Sequence, residues 1–261
     1  MSDWFHNLPI VWMALLVFGF TYLLSAGIYI VVMALAVGDR ARSFKSVSPG
    51  MLPPLGIIFG LFVGFTAAQV WSDNDRAVAA VDREASALRS VGILAAAFPG
   101  EPETRLRALI SSYIADATVQ EWPLMSHRAI TLRTVPHALA DAVQLTLGLQ
   151  PTGPGQQIAQ REIVTALENA MDARRQRLII SQAQVSVVKW CCIYLQAVCA
   201  LIAIAMVHSD NRLASASMLF IFATGVAAAV LLIAAYDRPF VGDASVRSDP
   251  LLQVMPAADR N

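Results

Sequence analysis

Four long uncharged runs constrain what this chain can fold into. They are residues 8–38, 47–71 and 190–207, and the stretch between Arg212 and Asp237. A helix of about 18 to 20 apolar residues crosses the roughly 30 Å hydrocarbon core of a bilayer, and each run reaches that length. Core helices of water-soluble proteins rarely do. We therefore predict four transmembrane helices.

The composition agrees with a membrane protein. Of the 261 residues, 56% are apolar and 15% are charged, whereas a soluble domain carries about 25% charged residues. The 19 basic and 19 acidic side chains give a formal net charge of zero. Nucleic acid is therefore not an expected partner, because its binding needs a basic surface. The expected partner is the lipid bilayer.

The segment between the second and third runs has a different composition, because most of the charged residues lie there. Its apolar residues recur at helical spacing, as at Leu106, Leu109 and Tyr113, and proline and glycine interrupt the pattern. Its outer helices, near residues 73–97 and 156–188, could continue from the second and into the third membrane helix. The predicted fold class is all-α, a polytopic membrane protein with a helical extramembrane insert. The predicted domains are transmembrane helices 1 and 2 (8–71), an extramembrane helical bundle (72–188), transmembrane helices 3 and 4 (189–240) and a C-terminal tail (241–261).

The basic residues leave the orientation in the membrane open. The first loop carries Arg40, Arg42 and Lys45, which places that loop in the cytoplasm by the positive-inside rule. Arg76 and Arg174, among other basic residues beside the second and third helices, favour a cytoplasmic insert instead. The two placements exclude each other if four helices cross the membrane.

Motifs of enzymes are missing from the sequence. It has no HExxH pair, no GxSxG elbow and no phosphate-binding glycine loop. His127 and His137 could meet at a metal, but ordinary surface histidines are the simpler interpretation. The three cysteines lie together in the third apolar run and are typical of small buried side chains. We expect no enzymatic activity, no cofactor and no metal.

One face of the second membrane run lacks side chains, because Gly56, Gly60 and Gly64 recur every four residues. Small residues let another membrane helix approach closely. These glycines are therefore predicted helix-packing positions. Their partner is either the first helix of the same chain or a neighbouring subunit.

A second stripe on the same run changes from apolar to polar along its length. Because each residue of an α-helix is rotated by about 100° from the one before, the following positions share one side of the helix and form this stripe: Leu55, Phe59, Phe62, Thr66, Gln69 and Asp73. This gradient is typical of a pore, with an apolar neck at Phe59 and Phe62 and a wetter vestibule beyond. The alternative is lipid contact for the phenylalanines and an ordinary exit from the membrane for Gln69 and Asp73.

A pore would require several copies around an axis, because four helices cannot enclose one and still cover their apolar faces. The helical insert is a plausible meeting place for these copies. Arg174 lies on an apolar seam of the insert and would then need a carboxylate partner. Glu162, Glu168 and Asp172 are near it in sequence. The alternative for Arg174 is a solvated surface position.

Several segments resemble the bestrophin-like family of bacterial membrane proteins. They are residues 75–85 with Leu88, residues 121–123, residues 173–178, and residues 237–240 with Gly242. Their order and spacing hold over about residues 10–250. The resemblance implies two membrane helices, a helical insert and two further membrane helices. Through a distant relation to true bestrophins it also implies a pentameric anion channel with an apolar neck on the second membrane helix.

The sequence departs from that family pattern in its acidic residues. No acidic cluster matches the calcium clasp of animal bestrophins, and Asp73 and Asp75 suit a cation path better than an anion path. Asp237 and Arg238 are predicted to form an ion pair at the membrane interface that fixes the depth of the fourth helix, and a role in ion selectivity is the alternative.

Together these observations predict an integral protein of the bacterial inner (plasma) membrane. We expect a homo-oligomer, a pentamer by analogy, that conducts small inorganic ions, with anions implied by the resemblance. The alternative is a non-conducting membrane scaffold or sensor whose helical insert binds a partner protein.

Overall fold

The computed structural model describes residues 3–37, 44, 49–127 and 136–256. The chain divides into two compact units. We call the first the membrane unit; it comprises Met1–Ser72, Gln184–Arg238 and Gly242–Ala244. We call the second the insert unit; it comprises Asp73–Ala183, Pro239–Val241 and Ser245–Asn261. The basic first loop with Arg40, Arg42 and Lys45 lies outside the described residues.

Every regular element in the described part of the chain is helical. The α-helices there are α1 (Asp3–His6), α2 (Ile10–Leu35), α3 (Leu52–Leu94), α4 (Glu101–Asp116), α5 (Trp122–Ser126), α6 (His137–Leu147), α7 (Pro154–Ile180), α8 (Val187–Val207), α9 (Arg212–Tyr236) and α10 (Asp249–Gln253). Short 3₁₀ turns cover Pro49–Met51 and Ala95–Ala97. A π-helical turn, Ala117–Glu121, separates α4 from α5.

Four of these helices are long and apolar enough to cross a membrane: α2, α3 with the turn that follows it, α8 and α9. The prediction of an all-α fold with four membrane-crossing helices is confirmed. The expected continuity of the outer insert helices holds on one side, because α3 runs unbroken from Leu52 to Leu94. On the other side it was wrong, because α7 ends at Ile180 and a new helix begins at Val187. Ser186 caps that new helix, with its side chain accepting from the Lys189 amide.

The core of the membrane unit is formed by small and branched apolar side chains from four helices. They include Met13, Val17, Val70, Ile193, Ala197, Val226 and Val230. Small residues such as Ala197 and Ala227 let membrane helices pack closely, which is what stabilises helix contacts in lipid.

One end of the membrane unit is held together by Asp237, the residue that follows α9. Its carboxylate lies 3.1 Å from the His6 Nε2 atom and accepts a 2.5 Å hydrogen bond from the Val185 amide. Asp243 accepts from the Ile10 amide at 2.9 Å and so caps α2. Gly242 adopts φ +83°, and a Cβ atom there would come within 2.8 Å of the His6 carbonyl oxygen, so only glycine fits. Asp237 therefore binds the N-terminal segment, and its ion pair with Arg238 stays a prediction.

The insert unit has its own buried core. Leu88, Leu106, Ile110, Ile163 and Leu167 are fully buried in it. Leu251 of α10 and Phe240 pack into the same core, so Pro239–Val241 and the residues from Ser245 onward belong to this unit.

Candidate functional site

The outward face of α3 in the membrane unit is the first candidate surface. Ile57, Leu61 and Phe65 follow one another at intervals of four residues and are 62%, 55% and 73% exposed. Residues four apart lie on one side of a helix, so the three apolar side chains form a continuous ridge on the surface. We call these three residues the α3 ridge.

The predicted pore stripe lies mostly on an inward face of α3, about one third of a turn from the α3 ridge. Phe59 is only 9% exposed, and its ring centroid lies 5.8 Å from that of Phe222 on α9. Phe62 is half-buried against the same core, and Thr66 is buried with its hydroxyl donating to the Phe62 carbonyl oxygen at 2.8 Å. These positions pack within the subunit.

The two ends of the stripe have polar or partly open surroundings. Leu55 is half-buried and lines a small apolar cavity of about 260 Å³ with Phe222. Gln69 accepts a hydrogen bond from the Lys189 ammonium group at the start of α8. Asp73 belongs to the insert unit, where it binds Arg76 at 2.6 Å. The structure thus brings Leu55, Phe59, Phe62, Thr66 and Gln69 together on one side of α3, against helices of the same chain.

The glycine face of α3 is bare. At Gly56, Gly60 and Gly64 no atom of the described chain beyond the local helix lies within 4 Å of the place where a Cβ atom would be. Packing of this face against the first helix of the same chain is therefore not what the structure shows. A close approach by another subunit, the other alternative, remains sterically open.

A buried network of ion pairs in the insert unit is the second candidate site. Arg177 is fully buried and binds both carboxylate oxygens of Glu84, also fully buried, at 2.7 and 3.0 Å. The same guanidinium donates to Glu121 at 2.9 Å. Arg174 donates to the other oxygen of Glu121 through two nitrogens, at 2.8 and 2.5 Å. Two carboxylates and two guanidiniums thus balance in charge, which a buried network requires.

Aromatic side chains complete this network. Tyr113 donates its hydroxyl hydrogen to Glu84. Burial, and after it the negative charge on Glu84, raise the pKa of Tyr113 well above its usual value. Burial alone would lower the pKa of Arg177, but its acidic neighbours Glu84 and Glu121 and the Tyr113 hydroxyl together raise it. The guanidinium carbon of Arg177 lies 4.9 Å from the ring centroid of Trp122, in cation–π contact.

The network gives Arg174 the carboxylate partner that the sequence left unassigned, and because Arg174 is only 6% exposed, the alternative of a solvated surface position is wrong. Its partner is Glu121, which lies 53 positions away in the sequence, rather than one of the nearby residues Glu162, Glu168 and Asp172. The signal that could have found this pair is the set of family-like segments. Residues 75–85, 121–123 and 173–178 each supply at least one member of the network.

The histidines form no metal site in the part of the chain that the structure describes. No group of three His, Cys, Asp or Glu side chains there could hold a metal ion. His127 and His137 are both exposed.

Comparisons with known proteins agree with this architecture. A family model described as a Bestrophin-like domain matches residues 19–251. No curated protein matches the sequence. A substituted form of a bacterial bestrophin homologue from Klebsiella pneumoniae has a similar structure, with a TM-score of 0.72 and 12% identity over 91% of this chain and 97% of that chain. A structure described only as a membrane protein has a TM-score of 0.71 and 13% identity, over 91% of this chain and 96% of that chain. At these identities the similarity shows the fold.

Proposed function

The chain belongs to the bestrophin-like family, and we propose on that premise that several copies of it surround an axis and form an ion channel. It is an integral membrane protein, with four helices able to cross the bilayer. By analogy the assembly is a pentamer, and the membrane is the bacterial inner membrane. The single observation that carries the proposal is the uncovered face of α3.

The α3 ridge supports an apolar neck on that helix. Ile57, Leu61 and Phe65 are largely uncovered, while the inward face of α3 that carries Phe59 is packed. With one α3 per subunit facing the axis, rings of these side chains would narrow a pore, and an apolar constriction can gate by dewetting. The bare glycines lie beside the ridge, where they allow neighbouring subunits to approach closely.

Phe59 and Phe62 as the neck stay a prediction. Their contacts with the core of the membrane unit favour a packing role instead. We therefore assign the neck to the α3 ridge, about one third of a turn away around the same helix.

The next question is whether the channel conducts anions or cations. The resemblance implies anions. Asp75 and Asp82 are exposed on α3 beyond its membrane half, seven residues apart and therefore on one side of the helix. Rings of carboxylates favour cations. The measured reversal potential in a salt gradient distinguishes the two.

The test is ion flux through the purified full-length protein in liposomes and planar bilayers. Leu61→Ser should raise unitary conductance or basal flux, because a hydroxyl wets the constriction. Leu23→Ser is the matched control, because Leu23 is 75% exposed but lies on α2. Absence of flux from the wild type under every gating condition would overturn the proposal, and equal effects of both substitutions would overturn the neck.

A non-conducting scaffold or sensor is the second candidate function. The observation that favours it is a polar groove of about 710 Å³ in the insert unit, lined by α3 and α7 side chains that include Arg83, Asn169 and Gln176. This function predicts that neither Phe62→Ala nor Leu61→Ser changes ion permeability, whereas the channel predicts that Leu61→Ser does. It also predicts that the intact protein captures a specific partner, and that groove substitutions such as Asn169→Trp abolish the capture.

A further inference from the structure

The π-helical turn Ala117–Glu121 joins two α-helices without a break. α4 ends at Asp116, and α5 begins at Trp122. Turns of this type are rare, occur mostly as single wide turns inside α-helices, and are frequent at functional sites. Such a turn contains about one residue more than an α-helical turn. The residues that follow it are therefore rotated around the helix axis by about 100° relative to a continuous α-helix.

Ion pairs hold the last residue of this turn. Glu121 accepts two hydrogen bonds from Arg174 and one from Arg177, and both arginines belong to α7. A return to α-helical geometry would rotate Glu121 away from both guanidiniums. These three charge-assisted bonds therefore favour the wide turn over the α-helical alternative.

The next residue, Trp122, connects the turn to the chain beyond the fourth membrane helix. Its indole Nε1 donates to the Val246 carbonyl oxygen at 3.4 Å, and its ring packs edge-on against Phe240 at 5.7 Å. The Val246 amide in turn donates to Pro239 at 2.7 Å. A rotation that displaces Glu121 would displace Trp122 as well.

We propose that residues 117–126 are a two-state element that controls the docking of residues 239–241 and 245–246 within the insert unit. In one state the wide turn keeps Glu121 on the two arginines and Trp122 on Val246 and Phe240. In the other state the segment is α-helical, the ion pairs of Glu121 are broken, and Phe240 and Val246 are released from Trp122. This inference goes beyond the proposed channel and does not depend on conduction.

Hydrogen exchange followed by mass spectrometry on the full-length protein in detergent tests the two states. In Glu121→Gln, peptides that cover residues 117–126 and 239–254 should both exchange at least tenfold faster than in the wild type. Residues 101–110 of α4 should be unchanged. Glu103→Gln is the matched control, because it removes a surface ion pair with Arg107 on the same helix and should change neither region.

Two further variants keep the test decisive if Glu121→Gln folds poorly. Trp122→Phe keeps an aromatic ring but removes the indole donor, so it should release residues 239–254 and leave residues 117–121 protected. Deletion of Val119, a residue 73% exposed in the wide turn, removes the extra residue. In that background Glu121→Gln should no longer release residues 239–254. Faster exchange of only one region in Glu121→Gln, or uniform loss of protection over the insert unit, would overturn the proposal.

Discussion

Replacement of Arg177 by methionine should cost about 3–5 kcal/mol of folding stability. The side chain is fully buried and donates at 2.7 and 3.0 Å to Glu84 and at 2.9 Å to Glu121. Methionine fills a similar space but leaves the buried carboxylate of Glu84 with only the Tyr113 hydroxyl as a partner. Removal of one member of a buried pair is costly because the remaining charge is uncompensated.

The assay is unfolding of the full-length protein in detergent, followed by circular dichroism. For a protein of this length each kcal/mol of lost folding stability lowers the midpoint of thermal unfolding by about 2–4 °C. Arg177→Met should therefore lower the midpoint by roughly 6–20 °C. Arg107→Met is the control. The side chains of Arg107 and its partner Glu103 are 36% and 25% exposed. Such surface ion pairs contribute about 0.2–1 kcal/mol to stability.

A double variant isolates the interaction between the two buried residues. Glu84→Leu combined with Arg177→Met replaces both charges by apolar groups, a change that is often close to neutral. We expect the double variant to be more stable than the sum of the single effects predicts, by about 1–3 kcal/mol. Additive single effects, or an Arg177→Met variant no less stable than the Arg107→Met control, would refute the reasoning.

Three further predictions concern other parts of the molecule. Burial and Glu84 raise the pKa of Tyr113, so its contribution to stability is complete below pH about 10 and is lost as the pH rises further; Tyr113→Phe should reduce this alkaline loss in denaturation curves at pH 8–11. Phe59→Ala should lower stability by about 3 kcal/mol and leave unitary conductance unchanged. Asp75→Asn should shift the reversal potential in a salt gradient toward the chloride equilibrium potential.

Each of these predictions has an opposing outcome. Identical alkaline profiles for Tyr113→Phe and the wild type would show that the buried phenol does not link stability to pH. A changed conductance in Phe59→Ala would indicate that the inward stripe, and not only the α3 ridge, lines the pore. An unshifted reversal potential in Asp75→Asn would place this carboxylate outside the ion path.

The membrane-crossing helices could be predicted from the sequence because length and absence of charge are local properties. The orientation of each face could not. Between Leu52 and Phe65 every side of α3 is apolar or glycine, so periodicity identifies the stripe of Phe59 and Phe62 and the ridge of Leu61 and Phe65 equally well. Only contacts from other helices, such as that between Phe59 and Phe222, determine which side is buried.

The pairing of Arg174 shows a second limit of prediction from sequence. The acidic residues near it along the chain, such as Glu168 and Asp172, could not be assigned as its partner, because a buried guanidinium binds the carboxylate that tertiary packing brings to it. That partner, Glu121, is supplied by a π-helical turn that no local pattern predicts. The segments that resemble the family contained the correct residues without indicating that they meet.

The contact between His6 and Asp237 joins residues 231 positions apart and has a consequence for biosynthesis. Domains form from the N-terminus onward as a chain is made. His6, however, can bind Asp237 only after nearly the whole polypeptide has been synthesised. The amide of Val185 waits for the same carboxylate. Closure of this end of the helix bundle is therefore a late event, after insertion of the last hydrophobic segment. An N-terminal fusion that obstructs it should impair maturation even if every helix has already entered the bilayer.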